Sequence, residues 1–593
     1  MDIAKEIRTI QTDVLVIGSG MAGLRAAIEA RRSGQEVLLV DKSLLGRASS
    51  SIYAGGLGLE ILPKHLPYHG AVKGKKFADY FNGTIEEVFD KMLEEGVSIG
   101  WGYPYIDNQR ILMTVAADYK LRQEELRDFG VEDPYSQHFI GRPVSMGVPI
   151  ILPMVEHFKK MGGATMEKTV VTDLIRQKDR VIGVIGFEMA DKRMVAILAK
   201  ATVMASGGCA QVYKRTYSPT RITGDGYAMA YRAGAELWEM ELVAFCNWTI
   251  AEPKCPQWWL PFSYGRVSGK LRNALGEPFF EKYAKENGWL GPKATLNDED
   301  VMDKRYGKPL TELDHYFWIA VSKEVREGRG VDGAVYLDLR HVPDERWYYE
   351  NDGITGLNEM RNFDWKKKPL KIAPAAEKQA GGILTDEYFK SSLEGFYAAG
   401  EAGPGVSLPF CIVSGACSGR YASWYAREAP PAELGDEDRK WVEKRKLQAQ
   451  ALLNREPKEA GDPRRIKQAI KETMWTYVGT LRTDEELARG LEALERIEKE
   501  RLPHLYARDV RSLREAYEVN NMVLVSKMIA ESARMRTESR GLHQRLDYPH
   551  EDNVNWLKNI VLEASDGGMK LSTRPVNLIW RKPPESRVKG GNI

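Results

Sequence analysis

Two apolar runs with a glycine-rich turn between them dominate the start of the chain. Val14-Leu15-Val16-Ile17 is uninterrupted, as in a parallel strand buried on both faces, and Gly18-Ser19-Gly20-Met21-Ala22-Gly23 follows it. Apolar residues then recur at helical spacing and predict a helix over 22–33. A second run, Val37-Leu38-Leu39-Val40, ends in Asp41-Lys42. Strand, glycine turn, helix, strand and terminal acid is the order of a dinucleotide-binding unit. Gly18 permits the turn, and Gly20 lets a diphosphate approach the helix amino terminus headed by Met21 and Ala22. Gly23 lets helix and strand pack closely, and Asp41 is placed to accept hydrogen bonds from an adenosine ribose. Flavin and nicotinamide dinucleotides share this half, so the turn alone leaves both open.

Further small-residue segments extend the pocket. Arg47-Ala48-Ser49-Ser50-Ser51 leads into Gly55-Gly56-Leu57-Gly58, whose peptide groups suit close contact with a cofactor. Runs 181–187 and 193–197 predict a hairpin, and a strand over 201–205 ends in Ser206-Gly207-Gly208. Thr223-Gly224-Asp225-Gly226 opens a helix with Asp225 as its expected cap. Phe396-Tyr397-Ala398-Ala399-Gly400-Glu401 repeats the strand, glycine and acid order, with Glu401 set to meet cofactor hydroxyls. From 431 to 513 the chain is rich in Ala, Glu, Lys, Arg and Leu, and helices are predicted over 438–453, 464–477 and 484–500.

With 593 residues, 43% of them hydrophobic, the chain has enough apolar content for several domains. Its 85 basic and 83 acidic side chains leave a net charge of +2, which argues against a nucleic-acid coat. The five cysteines show no paired spacing, so no metal site is expected. No run reaches the ~20 apolar residues of a membrane span, and the amino-terminal residues lack a signal pattern, so a cytoplasmic location is expected.

The ordered segments 14–23, 223–226, 381–386 and 396–402, with the tail Arg536-Thr537-Glu538-Ser539-Arg540-Gly541-Leu542-His543-Gln544-Arg545, resemble the flavoprotein subunits of the succinate dehydrogenase and fumarate reductase superfamily, which includes L-aspartate oxidase and adenylylsulfate reductase alpha. The resemblance implies FAD, and an α/β fold with an α+β cap. Its parts are a Rossmann-like FAD-binding domain (1–240 and 371–430), an inserted capping domain (241–370), a helical domain (431–513) and a small carboxyl-terminal domain (514–593). The cofactor-binding set is then Gly18, Gly20, Met21, Ala22, Gly23, Asp41, Lys42, Ser49, Ser50, Gly55, Gly56, Ser206, Gly207, Asp225, Glu401 and Ser414. Some family members attach FAD through a histidine where this chain has Ser49, so noncovalent FAD is expected. The resemblance also implies a separate iron-sulfur protein or quinone as electron partner, with peripheral membrane association through that partner; oligomerisation is left open.

The chain departs from the family where the organic substrate binds. Asn247 takes the approximate place of the histidine in the family's QFHP-like segment. The run Asp314-His315-Tyr316-Phe317-Trp318 lacks both arginines of RDxxxR, although Glu324, Glu327, Gly328, Arg329 and Gly330 keep the following EGRG. Glu377 stands near another expected histidine, and Ser414-Gly415 to Gly419-Arg420 has an SG-x-x-x-GR spacing closer to adenylylsulfate reductase. A dicarboxylate would lose its cationic partners here, so standard succinate or fumarate chemistry is not expected. Glu377, Lys378 and His315 are the catalytic candidates, with a surface ion pair as the plainer account of the first two. An adenylylsulfate reductase-like sulfur-oxyanion reductase and a nonenzymatic FAD relay or scaffold are the alternatives. Cys411 and Cys417 read as buried packing thiols, and Glu538, Arg540, His543 and Arg545 as either structural bridges or an active-site shell.

Overall fold

The computed structural model describes residues 6–53, 84–95, 106–131, 147–253, 255, 257, 270–286, 310–341, 364, 367–405 and 407–583. Strands β1 (Arg8–Ile17) and β2 (Val37–Val40) are parallel, and helix α1 (Met21–Arg32) connects them. Val14, Leu15 and Val16 are fully buried because β1 has a neighbour on each edge and packing on both faces. The helix begins one residue before the expected position, with Gly20 as its N-cap.

The segments expected as separate strands over 193–197 and 201–205 form one strand, β6 (Arg193–Met204). It is parallel to β1 from Val195 to Met204, and its first half is antiparallel to β5 (Arg180–Glu188). Lys200 is the polar interruption that divides the apolar pattern; its ammonium reaches out to Asp13 at 2.8 Å. With β3 (Ala164–Met166) and β4 (Thr169–Gln177), the sheet runs β3-β2-β1-β6-β5-β4. A strand from much later in the chain, Phe396–Ala398, pairs parallel with β6 and returns the chain to this sheet.

Helices α2 (Ile85–Glu95), α3 (Gln109–Glu124) and α4 (Val148–Lys160) cover one face, and α5 (Asp225–Arg232) follows the end of β6. After β7 (Leu237–Trp238), the capping region is an antiparallel sheet, β8-β11-β10-β9. Its strands are β8 (Val243–Ile250), β9 (Lys270–Arg272), β10 (Val335–Asp338) and β11 (Leu370–Gln379), accompanied by α6 (Phe280–Glu286) and α7 (Leu310–Arg326). The chain enters this region on β8 and leaves on β11, its antiparallel neighbour. Strands β12 (Gly382–Ile383) and β13 (Phe396–Ala398) then lead to α8 (Leu408–Glu428).

The SG-x-x-x-GR segment lies inside α8 and is a packing device. A Cβ at Gly415 would stand 2.4 Å from the Ala22 carbonyl oxygen, and one at Gly419 2.4 Å from that of Ala26. Arg420 reaches Glu29 of α1 at 3.1 Å. The spacing thus records the close crossing of α1 and α8.

The expected helices appear as α9 (Asp436–Asn454), α10 (Pro463–Tyr477) and α11 (Asp484–Glu500). Leu487, Leu491, Leu494 and Ile497 give α11 its buried stripe. Helix α12 (Val510–Met535) packs among them and runs across the expected domain border at 513. Finally, β14 (Lys558–Ser565) and β15 (Gly568–Pro575) join β7 and β12 in a four-stranded sheet, which ties the tail to both flanks of the cap.

Candidate functional site

The glycine turn sits where β1, α1 and the end of β6 meet. Gly18 has φ +103°, and a Cβ there would lie 2.3 Å from the Ala205 carbonyl oxygen. A Cβ on Gly23 would lie 1.8 Å from the Gly18 oxygen, so only glycine lets the helix leave the strand this tightly. Asp41 braces the turn: its Oδ2 accepts the Ser19 N–H (2.9 Å) and hydroxyl (2.6 Å), and its Oδ1 accepts the Ser43 N–H (2.7 Å). The Met21 N–H donates to Ser51 Oγ at 3.0 Å.

Around this turn the buried hydroxyls of Ser49, Ser50, Ser206 and Ser407 have no hydrogen-bond partner among the described residues. Each such orphan costs about 1–3 kcal/mol, and a bound molecule with acceptor oxygens and hydroxyls offsets it. Ser49 and Ser51 flank Gly20, Ser206 follows β6, and Ser407 heads α8, so the residues present fit a dinucleotide. Ser407 was missed in the sequence; its signal was a serine two residues before a proline that opens a helix. Gly55 and Gly56 lie outside the described residues.

Asp225 does not cap its helix. Gly224, at φ +79°, takes the N-cap position, and Asp225 is the first helical residue. Its carboxylate meets Lys42 Nζ at 2.5 Å and accepts from Asn521 Nδ2 at 2.9 Å. Lys42 also reaches Thr223 Oγ1 at 3.0 Å and Glu518 at 3.3 Å, so its ammonium joins β2, α5 and α12. Burial opposes both charges, yet their mutual attraction holds Asp225 below and Lys42 above the ordinary values.

Glu401 lies in a short turn whose Gly400 has φ +61°. Its Oε1 accepts the Gln379 N–H at 2.9 Å, and burial pushes the carboxyl up to about 7, against the pull of that bond and of Lys378. A Cβ on Gly208 would fall 2.0 Å from the same oxygen. Ser414 accepts the Gly400 N–H at 3.0 Å and donates to the Phe410 carbonyl at 2.7 Å, so it acts on the site through the Glu401 turn.

Glu377 and Lys378 stand at an irregularity of β11, where the register with β8 shifts between Ala376 and Lys378. Their charged groups are 3.1 Å apart, with side chains only 14% and 24% exposed, unlike an ordinary surface pair. Glu377 Oε2 is buried without a hydrogen-bond partner among the described residues. Both charges act on Glu401, and Lys378 also acts on Cys411, which gathers these four residues at the mouth of α8. Burial pushes Cys411 and Cys417 up to about 12, so both remain thiols, as packing residues do. His315 belongs to α7 and Asn247 to β8, but their side chains lie outside the described set.

The EGRG segment closes α7 on itself: Arg329 binds Glu324 at 2.7 and 2.9 Å, and Tyr283 donates to Glu324 at 2.7 Å. The tail makes a comparable internal lattice. Arg536 binds Glu241 (2.7 Å) and Glu538 (2.9 Å), and Arg540 grips both Glu538 oxygens at 2.8 and 2.9 Å, with all four side chains fully buried. Arg545 holds Asp547 at 2.7 Å. His543 accepts from Arg482 at Nδ1 (2.8 Å) and donates from Nε2 to the Arg536 carbonyl (3.1 Å), a tautomer assigned from its partners. Burial and the nearby guanidinium groups keep it far below 6.5, hence neutral. These residues brace the start of β8. Glu239, with φ +51° and a carboxyl raised well above its usual value by burial and by Asp107, joins this region through Asn559. Nothing in the sequence pattern had singled it out. Among the described residues no His, Cys, Asp and Glu cluster could hold a metal ion, and no helix is long and apolar enough to cross a membrane.

A FAD binding domain profile matches residues 13–87 and 101–409, and a fumarate reductase flavoprotein C-terminal profile matches 467–589. An uncharacterised FAD-dependent oxidoreductase of Methanocaldococcus jannaschii is 28% identical, over 94% of this chain and 97% of its own. A chain of the fumarate reductase (CoM/CoB) of Methanothermobacter marburgensis is 26% identical, over 94% and 98%. E. coli quinol fumarate reductase FrdA shares the fold with a TM-score of 0.80 at 22% identity, over 98% and 99% of the two chains. Adenylylsulfate reductase from Archaeoglobus fulgidus does so at 0.74 and 19%, over 98% and 99%. With a cradle that fits FAD and both profiles on one chain, this protein belongs to the succinate dehydrogenase and fumarate reductase flavoprotein family and is a FAD-dependent oxidoreductase.

Proposed function

We propose that the chain is the flavoprotein component of an electron-transfer assembly, acting on a small molecule other than succinate or fumarate and exchanging electrons with an iron-sulfur protein or a quinone. The observation that carries this reading is the half-buried Glu377–Lys378 pair with its unpartnered carboxylate oxygen beside Glu401. FAD, when bound, accepts a hydride and releases electrons singly. Glu377 Oε2 takes or returns a substrate proton, while Lys378 holds the other carboxylate oxygen and offsets its charge. A second carboxylate next to Glu401 repels a dicarboxylate substrate and suits one that offers an N–H or O–H donor. His315 is the remaining candidate, on the cap helix. An adenylylsulfate reductase-like reaction is the second reading; SG-x-x-x-GR packs α8 against α1 and so bears on the fold rather than on the substrate.

The test is purification of the chain with its natural partners, assayed for flavin, iron and labile sulfide, followed by flavin reduction with a metabolite panel. The expected result is near-stoichiometric FAD, co-purifying iron and sulfide or a quinone-reactive partner, and turnover that Glu377→Gln lowers by about 10²–10⁴-fold with FAD retained. Rapid succinate oxidation, or turnover unchanged in Glu377→Gln, would count against this reading.

A further inference from the structure

The chain enters the cap through the turn 239–242, between β7 and β8, and leaves it at Gln379, the last residue of β11. The two passages cross closely. A Cβ at Gly381 would stand 2.2 Å from the carbonyl oxygens of both Trp238 and Glu239. The entry turn is irregular, because Glu239 takes φ +51°, a conformation that disfavours a side chain. Three of its carbonyl oxygens, those of Glu239, Met240 and Leu242, converge on one side chain: each accepts from Gln379 Nε2 at 3.2 Å. A second support comes from the bundle side, where Arg482 donates to the Glu241 carbonyl at 2.8 Å, so the turn does not hang on Gln379 alone.

Gln379 is fully buried, and both ends of its amide are fixed. The two hydrogens on Nε2 serve the three carbonyls, and Oε1 accepts the Cys209 thiol at 3.7 Å; turning the amide over would set oxygen against oxygen. The backbone N–H of the same residue donates to Glu401 Oε1 at 2.9 Å. Glu401 is itself held, since Ser414 accepts the Gly400 N–H and Tyr227 donates to the Glu401 carbonyl. Gln379 therefore touches the entry of the cap, its exit, the segment after β6 through Cys209, and the acid set against cofactor hydroxyls. Glu377 and Lys378 immediately precede it on β11. An apolar side chain of similar volume would fill the space; only a double donor closes the turn.

We propose that Gln379 is a positioning residue that couples the flavin site to the cap: FAD steadies Glu401, Glu401 fixes the end of β11, and the Gln379 amide closes the entry turn, which holds the strand that carries Glu377 and Lys378. The inference rests on the placement of FAD against Glu401. Coupling is reciprocal, so a turn that FAD protects must in return raise the affinity for FAD.

The test is backbone hydrogen exchange of the full chain, FAD-free and FAD-loaded, read over 239–243, with FAD affinity measured in parallel by quenching of flavin fluorescence. In the wild type FAD slows exchange there by about 5–150-fold, the usual range for two coupled sites. Gln379→Met, of similar length but without donors, removes that protection and weakens FAD by a comparable factor, while exchange over 18–24 still slows on FAD binding. Gln379→Glu, whose protonated carboxyl keeps one donor, restores part of the protection at acid pH, with the wild type measured beside it to account for Glu401; a residue that merely fills space is not rescued in this way. Glu401→Ala tests the placement of FAD by itself: weakened FAD binding upholds it, and unchanged binding overturns placement and coupling together. With the placement upheld, an entry turn that FAD leaves unprotected in the wild type, or that FAD still protects in Gln379→Met, overturns the coupling.

Discussion

At the scale of single residues, the site is governed by atoms that have no room or no partner. A Cβ at position 23 would overlap the Gly18 oxygen at 1.8 Å, so Gly23→Ala is expected to abolish FAD retention, read as loss of the visible flavin spectrum. Glu401 offers a pH test. Its carboxyl is raised by burial from 4.5 to about 7, so the neutral form is favoured in the fold. The corresponding stability is complete below pH 4.5 and is lost as pH rises through 7, about 3 kcal/mol in all. In the FAD-free protein, the denaturation midpoint of wild type should therefore fall relative to Glu401→Gln over that interval. Parallel pH profiles would refute the assignment.

At the scale of elements, local chemistry sets where helices begin, while neighbours decide how strands group. Thr483 caps α11 by accepting the Glu486 N–H at 3.3 Å, and three acids follow in the first turn. Thr483→Ala should cost about 1 kcal/mol, measured by chemical denaturation, without altering the flavin spectrum. Helices α10 and α11 were legible because an apolar stripe and a cap recur within one segment. Strand β6 was not, since its unity depends on β1 running along its length. The packing role of the SG-x-x-x-GR spacing was hidden for a similar reason: glycines four apart record a helix crossing, and only the crossing partner α1 reveals that role.

Over the whole molecule, the tail closes what the cap opens. Arg536 joins Glu241, at the entrance to the cap, to Glu538 in the tail, and all three side chains are fully buried. Arg536→Met would strand the buried carboxylate of Glu241, while Glu538 keeps Arg540, with an expected loss of about 3–5 kcal/mol in denaturant unfolding. Recovery of stability in the double variant Arg536→Met/Glu241→Gln would show that the loss comes from the unpaired charge.

The sequence alone determined the dinucleotide turn and the helical bundle, because each is written in neighbouring positions or in short ordered motifs. Tertiary structure decided the rest. Asp225 exchanged a capping role for Lys42, His543 became a neutral bridge, and Glu377 moved from a surface pair to a half-buried one beside Glu401. Charge placement, desolvation and unpaired hydroxyls depend on what lies across space, and residues hundreds of positions apart supply it.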